Sequence, residues 1–173
     1  MIEIRFLTPD DARAWLRLRL EALEGDPEAF SASPEEYRAL SLDEVKKRLF
    51  SEGQAFVAGA IEDGRLIGMA GFYRDKGQKS RHKGHVWGVY VTPAARTAGI
   101  GRKMMQMLLD RVRALDGVEQ VLLSVAATQL AAIRLYRSLG FESFGTEPRA
   151  LRIAERYIDE HYMVLPLNNS LGR

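Results

Sequence analysis

The sequence predicts a mixed α/β fold: a central, mostly antiparallel mixed sheet of about six to seven strands, flanked by helices. Three observations predict it. Strand-like segments (2–7, 54–61 and 66–74) interleave with segments of helical period. Three consecutive strands through the middle make a meander that leads into one crossover. The chain, 173 residues with 46% hydrophobic and 28% charged, fits one domain over 1–173, large enough to bury a core without disulfides or metals.

The elements follow in order. Residues 2–7 alternate as a strand. Thr8, Pro9 and Asp11 then form a helix start, with Pro9 in the first helical position and Asp11 in the capping-box place. Ala12, Leu16, Leu20 and Leu23 share one face, and Gly25 stops the helix. Ser33-Pro34-Glu35-Glu36 and Ser41-Leu42-Asp43-Glu44 repeat the cap signature, so one or two short helices fill 34–50. Glu62-Asp63-Gly64-Arg65 is a hairpin turn between two strands. Residues 75–84 form a polar loop, and 85–92, apolar on both faces, form a central strand. A helix is expected over about 101–115, with Met105, Leu108, Leu109 and Val112 on one face. A buried strand over 120–125, a helix over 129–139 ended by Gly140, and strands near 141–146 and 157–165 complete the chain.

Composition excludes several classes. Twenty-five basic residues against 23 acidic ones leave a net charge of +2, which does not define a nucleic-acid binder. The basic loop with Lys76, Lys79, Arg81 and Lys83 lacks interleaved aromatics and reads as solvated. The absence of cysteine excludes a disulfide framework, a thiolate metal site and a cysteine acyl-enzyme. Three scattered histidines give no metal spacing, so no metal is expected. The opening Met1-Ile2-Glu3-Ile4-Arg5 lacks the pattern of a signal peptide, and no apolar run approaches a membrane span. A cytoplasmic protein without membrane or nucleic-acid partners is expected.

The richest stretch is Val89-Tyr90-Val91-Thr92-Pro93-Ala94-Ala95-Arg96-Thr97-Ala98-Gly99-Ile100-Gly101-Arg102. A buried strand runs into a basic, glycine-bearing turn that opens a long helix. Helix-start amides are unpaired and carry the positive end of the dipole. Without side chains at Gly99 and Gly101, a pyrophosphate can approach those amides closely. Arg96 and Arg102 add charge. A plain loop whose glycines serve turn geometry is the competing reading. A Rossmann fingerprint fails because Met104 stands where its third glycine belongs, and no Walker A run occurs.

Arg96-Thr97-Ala98-Gly99-Ile100-Gly101 resembles the Arg/Gln-x-x-Gly-x-Gly/Ala motif of the GNAT superfamily of acyl-CoA-dependent N-acyltransferases. Ala132-Ile133-Arg134-Leu135-Tyr136-Arg137-Ser138-Leu139-Gly140-Phe141 is similar to the same family's Ala-x-x-Leu-Tyr-x-x-x-Gly-Phe motif. The interval between them suits one helix and one strand. The match is closest over 85–141, the expected acetyl-CoA-binding core. The helices over about 10–50, where such enzymes vary, are the expected acceptor side.

The resemblance implies an acetyl-CoA-dependent N-acetyltransferase acting on an amine, with acetyl-CoA as co-substrate and no metal. It implies that backbone groups of Val89, Tyr90 and Val91 pair with the pantetheine arm. The turn of Arg96, Thr97, Ala98, Gly99, Ile100, Gly101 and Arg102 would hold the pyrophosphate. Tyr136 would stand near the thioester sulfur and protonate the leaving thiolate. Many members carry Asn three residues before the alanine, where this chain has Gln129, a further expected pantetheine contact. Period-two alternation puts His85, Trp87, Val89 and Val91 on one face. His85 is therefore the candidate base, where the family often places a glutamate. A histidine at a strand start with a surface role is the competing reading. Glu35-Glu36 and Asp43-Glu44 either wall an acceptor site or cap helices. The acceptor is a small or protein amine, a homodimer is compatible with the sequence, and a non-catalytic acyl-CoA-binding regulator is the alternative function.

Overall fold

The computed structural model describes residues 1–51 and 53–167; the side chain of Thr97 lies outside the described residues. Seven strands form one sheet: β1 (Ile2–Phe6), β2 (Ala55–Glu62), β3 (Arg65–Arg74), β4 (Lys83–Val91), β5 (Gln120–Ala126), β6 (Glu142–Ile153) and β7 (Arg156–Pro166). Their order is β1-β2-β3-β4-β5-β7-β6. Every neighbouring pair is antiparallel except β4 with β5. Among the described residues five α-helices flank it: α1 (Ala12–Gly25), α2 (Pro34–Arg38), α3 (Leu42–Leu49), α4 (Ile100–Arg113) and α5 (Leu130–Ser138).

Each face of the sheet buries its own core. On one side Met104, Met105, Leu108, Leu109 and Val112 of α4 meet Phe56, Phe72 and Val121 from the strands, with Ile133 and Tyr136 of α5. On the other, Trp15, Leu18, Ala22 and Leu23 of α1 pack with Tyr37, Val45, Leu49, Met69 and Tyr90. Burial of these apolar side chains at about 25 cal/mol per Å² is the main stabilising term.

The start of α1 is fixed by charge as well as packing. Asp11 accepts from the Thr8 amide at 2.8 Å and pairs with Arg5 of β1 through two bonds of 2.8 and 2.9 Å. The Arg5 guanidinium holds the Asp11 carboxyl down to about 2. A carboxyl depressed in the folded state stabilises the fold above its unfolded value, near 4, and that contribution is lost as pH falls through about 2. Asp11→Asn should therefore lower the Tm at pH 6 by several degrees. It should also flatten the dependence of Tm on pH between about 4 and 2. An unchanged acid profile in this variant would show that Asp11 holds nothing.

Three sequence expectations need correction. The buried stripe of α1 is Ala12, Trp15, Leu18, Arg19, Ala22 and Leu23, whereas Leu16 and Leu20 are half-buried. The helix is rolled toward Trp15, whose ring packs 5.8 Å from Tyr37 and 5.9 Å from Trp87. The last two strands run longer than expected, through Ile153 and from Arg156. Their added residues are mostly exposed and interrupted by a register shift between Glu147 and Leu151, so no alternation marks them. The third correction is in β4. Gly88 has φ of +62°, and pairing with β3 shifts register between Gly71↔Trp87 and Met69↔Tyr90. This bulge reverses the side-chain alternation. Trp87 and Tyr90 face the α1 core, whereas Val86, Val89 and Val91 face the α4 core.

Candidate active site

The cleft originates in strand pairing that stops early. β4 and β5 pair only at Lys83↔Gln120, Gly84↔Val121 and His85↔Leu122. Beyond them β4 bulges at Gly88, while β5 follows β7 as far as Ala126↔Glu160. The two strands therefore part, and a cleft of about 640 Å³ opens between Val86–Val91 on one side and Leu123–Val125 on the other. The edge of β4 facing the gap pairs with no strand there. An extended chain carrying amides can add to it as a strand would.

At one end of the cleft is the glycine turn. A 3-10 segment over Pro93–Ala98 leads to Gly99, whose φ of +68° is left-handed, and α4 begins at Ile100. The first amides of α4 point outward without helical partners. The two glycines serve different needs. At Gly99 an added Cβ meets nothing, so the backbone conformation demands glycine. At Gly101 a Cβ would sit 3.5 Å from Leu135 and 3.9 Å from Val91, an ordinary contact, so the fold itself tolerates a side chain. What Gly101 leaves free is the space in front of the amides. Arg102 reaches across to the Ser138 hydroxyl at 2.6 Å, and both line the cleft.

Tyr136 is a further residue of the cleft wall. Its ring is 7% exposed, packs edge-on to Phe141 at 6.0 Å, and lines the cavity. Burial pushes the phenol well above its ordinary range, so it stays protonated throughout the neutral region. At the other side are Asp26, Ala29 and Phe30, which follow α1, with Trp87, Gly88 and Tyr90 of β4. Arg96 donates to the Val91 carbonyl at 3.0 Å and lies 3.7 Å from Asp26. Gln129 donates to the same carboxylate at 3.4 Å. Tyr90 donates to Glu21 at 3.3 Å.

The structure brings most expected residues together. Val89, Tyr90, Val91, Arg96, Gly99, Gly101, Arg102, Gln129 and Tyr136 all line one cleft. Ile100 instead anchors α4 in the core, and Ala98 is exposed in the turn. Thr97 contributes backbone to the turn, its side chain being outside the described residues. His85 is placed elsewhere. It lies in the paired section below the opening, stacks on Tyr73 at 4.8 Å and contacts Asp75 at 3.0 Å. The Gly88 bulge removes the face-sharing that made it a candidate. Glu36 and Glu44 cap α2 and α3, and Glu35 pairs with Arg38. Asp26, Phe30, Gly88 and Ser124 were not foreseen, although an isolated glycine inside a strand pattern is a known sign of a bulge.

This geometry matches a known family. The model of the acetyltransferase (GNAT) family matches residues 15–141. The chain is 32% identical over 157 residues to the N-alpha-acetyltransferase RimI of Mycobacterium tuberculosis, covering 88% of this chain and 86% of that protein. It is 33% identical over 147 residues to the mycothiol acetyltransferase of Thermomonospora curvata, covering 84% of this chain but 46% of that one. Among solved structures, yncA of Salmonella typhimurium, determined with its cofactor acetyl-CoA, superposes with a TM-score of 0.84 at 25% identity over 98% of this chain and 96% of that one. The chain belongs to the GNAT acetyltransferase family. It is an acetyl-CoA-dependent enzyme with acetyl-CoA as co-substrate. Among the described residues no cluster of His, Asp or Glu is arranged to hold a metal, and no helix is long and apolar enough to cross a membrane.

Proposed function

We propose that the chain is a single-domain, cytoplasmic N-acetyltransferase that moves the acetyl group of acetyl-CoA to a primary amine by direct attack in a ternary complex. The observation that carries this reading is the gap between β4 and β5, with the glycine turn and a protonated tyrosine in its wall. Pantetheine adds to the open edge of β4 at Val89–Val91, and the pyrophosphate rests on the first amides of α4. Amides beside the Gly88 bulge face the thioester carbonyl and stabilise the oxyanion, a contribution of roughly 3–4 kcal/mol in comparable sites. The amine nitrogen attacks the carbonyl carbon, the C–S bond breaks, and Tyr136 protonates the departing thiolate. The absence of cysteine agrees with direct transfer. Initial rates with both substrates varied should give intersecting lines; parallel lines, the mark of a covalent acetyl-enzyme, would contradict it.

The amine's proton goes to Asp26, the one carboxylate among the described lining residues, directly or through water. Asp26→Asn should therefore depress kcat/KM at least tenfold. His85→Gln should keep kcat/KM within about twofold of wild type, because its ring contacts Asp75 and Tyr73 rather than the cleft. A tenfold loss in His85→Gln with none in Asp26→Asn would restore histidine as the base.

A further inference from the structure

Arg19 of α1 is 4% exposed, and its Nε and Nη1 have no hydrogen-bond partner among the described residues. Its guanidinium carbon lies 4.9 Å from the ring centres of Phe30 and Tyr37 and 5.5 Å from that of Trp87. Aromatic faces attract a cation, but they do not replace acceptors for N–H donors lying in the guanidinium plane. Burial lowers the Arg19 pKa, opposed by the Tyr37 hydroxyl, which bonds the guanidinium, and by the charge of Glu36; neither reaches Nε or Nη1. Glu36, the carboxylate whose charge acts on it, is engaged in capping Ser33 at 3.0 Å.

The position of this cation is as telling as its two unbonded donors. Two walls of its cage, Phe30 and Trp87, also line the cleft, as does Gly88. A Cβ on Gly88 would stand 3.4 Å from Nη1. The bulge that opens β4 therefore also brings an unpartnered guanidinium edge up behind the place assigned to the thioester. Phe30, on the cleft side, is carried by the short connection between Ala29 and α2.

We propose that Arg19 receives a carboxylate of the acceptor, so that the substrate is an amine bearing a carboxylate a few atoms from the reacting nitrogen, as in a small amino acid. The proposal rests on reading the cleft as the acetyl-transfer site. The carboxylate enters where Phe30 now covers the guanidinium and meets Nη1, while the amine stays beside the Gly88–Val89 bulge. Among the described residues no carboxylate bonds Nη1, so a neutral amide in place of the acid leaves that donor without an anionic partner.

The test uses the twenty common amino acids, β-alanine and γ-aminobutyrate, each with its carboxamide, beside polyamines and short peptides. Wild-type kcat/KM for the best acid should exceed that of its amide by at least about 100-fold. In Arg19→Met, which keeps length and apolar contact with the rings, the ratio should fall to within about threefold of unity, chiefly through KM of the acid. Arg19→Lys should recover part of the ratio, and acetyl-CoA affinity in each variant reports an intact fold. An acid-to-amide ratio near one in wild type overturns the proposal. So does a ratio kept in Arg19→Met, which is the result if the cation only supports packing or the oxyanion. Transfer to polyamines or peptides but to no amino acid overturns it while leaving acetyl transfer standing. If no amine releases thiol, acetyl transfer fails. The carboxylate is then read by melting of the CoA-bound protein: amino acids but not amides should raise Tm in wild type and not in Arg19→Met, and no difference overturns the proposal.

Discussion

Gly101→Glu should weaken acetyl-CoA binding by at least 100-fold while the protein stays folded. The reason lies in what the glycine does. Its Cβ position makes only ordinary contacts with Leu135 and Val91, at 3.5 and 3.9 Å, so the apo fold has room for a side chain. The ligand does not. A glutamate there places a carboxylate in front of the first amides of α4, where the proposed pyrophosphate position relies on both the dipole and close approach. Charge repulsion and lost amide contacts act in the same direction. Gly101→Ala, which adds only the Cβ, should bind acetyl-CoA less tightly but measurably. Gly99→Ala should behave differently, losing about 1–2 kcal/mol of stability because its φ of +68° is strained for an L side chain. Titration calorimetry beside thermal melting separates these outcomes. Unchanged affinity in folded Gly101→Glu would remove the pyrophosphate from this turn.

The second large effect should come from Tyr136→Phe. The ring is buried against Phe141 and in contact with the α4-side core, so its packing survives loss of the hydroxyl. Turnover should not survive as well: kcat should fall on the order of 10²-fold, with KM for acetyl-CoA little changed, as expected for loss of a general acid. Burial raises the phenol's pKa, so the sign of the pH effect is fixed. The acid form persists through neutral pH, and wild-type kcat should show no falling limb from this group below about pH 10. Equal kcat in the two proteins, where chemistry limits the rate, would reduce Tyr136 to packing.

Which features were legible in the sequence follows from how local their causes are. The capping box at Thr8 and Asp11 and the Asp63-Gly64 turn, both residues at positive φ, are decided within four residues. The turn at Gly99–Gly101 and the helix of Tyr136 are likewise carried by contiguous motifs, so their place on one cleft was readable. The part of the cleft lined by Asp26, Phe30 and Gly88 was not. Gly88 shifts the register of β4 by one residue, which puts Trp87 and Val89 on opposite faces and takes His85 out of the site. Asp26 and Gln129 meet across more than one hundred positions of sequence. Arg19 looks like a solvent-face residue in a helix rich in arginine. Only the roll of α1 toward Trp15 and the ring of Trp87 brings it inside. The outer half of β6, over 147–153, has no buried residue to impose a period, and so left no mark.

Acetyl transfer itself is tested most directly by incubating the protein with acetyl-CoA and a panel of primary amines, following free thiol and the mass of each amine together. The cleft between β4 and β5, with Tyr136 in it, predicts thiol release that depends on at least one amine, matched one for one by an acetylated product and reduced about 100-fold in Tyr136→Phe. Tight acetyl-CoA binding without thiol release from any amine would contradict it and leave an acyl-CoA-binding regulator in its place.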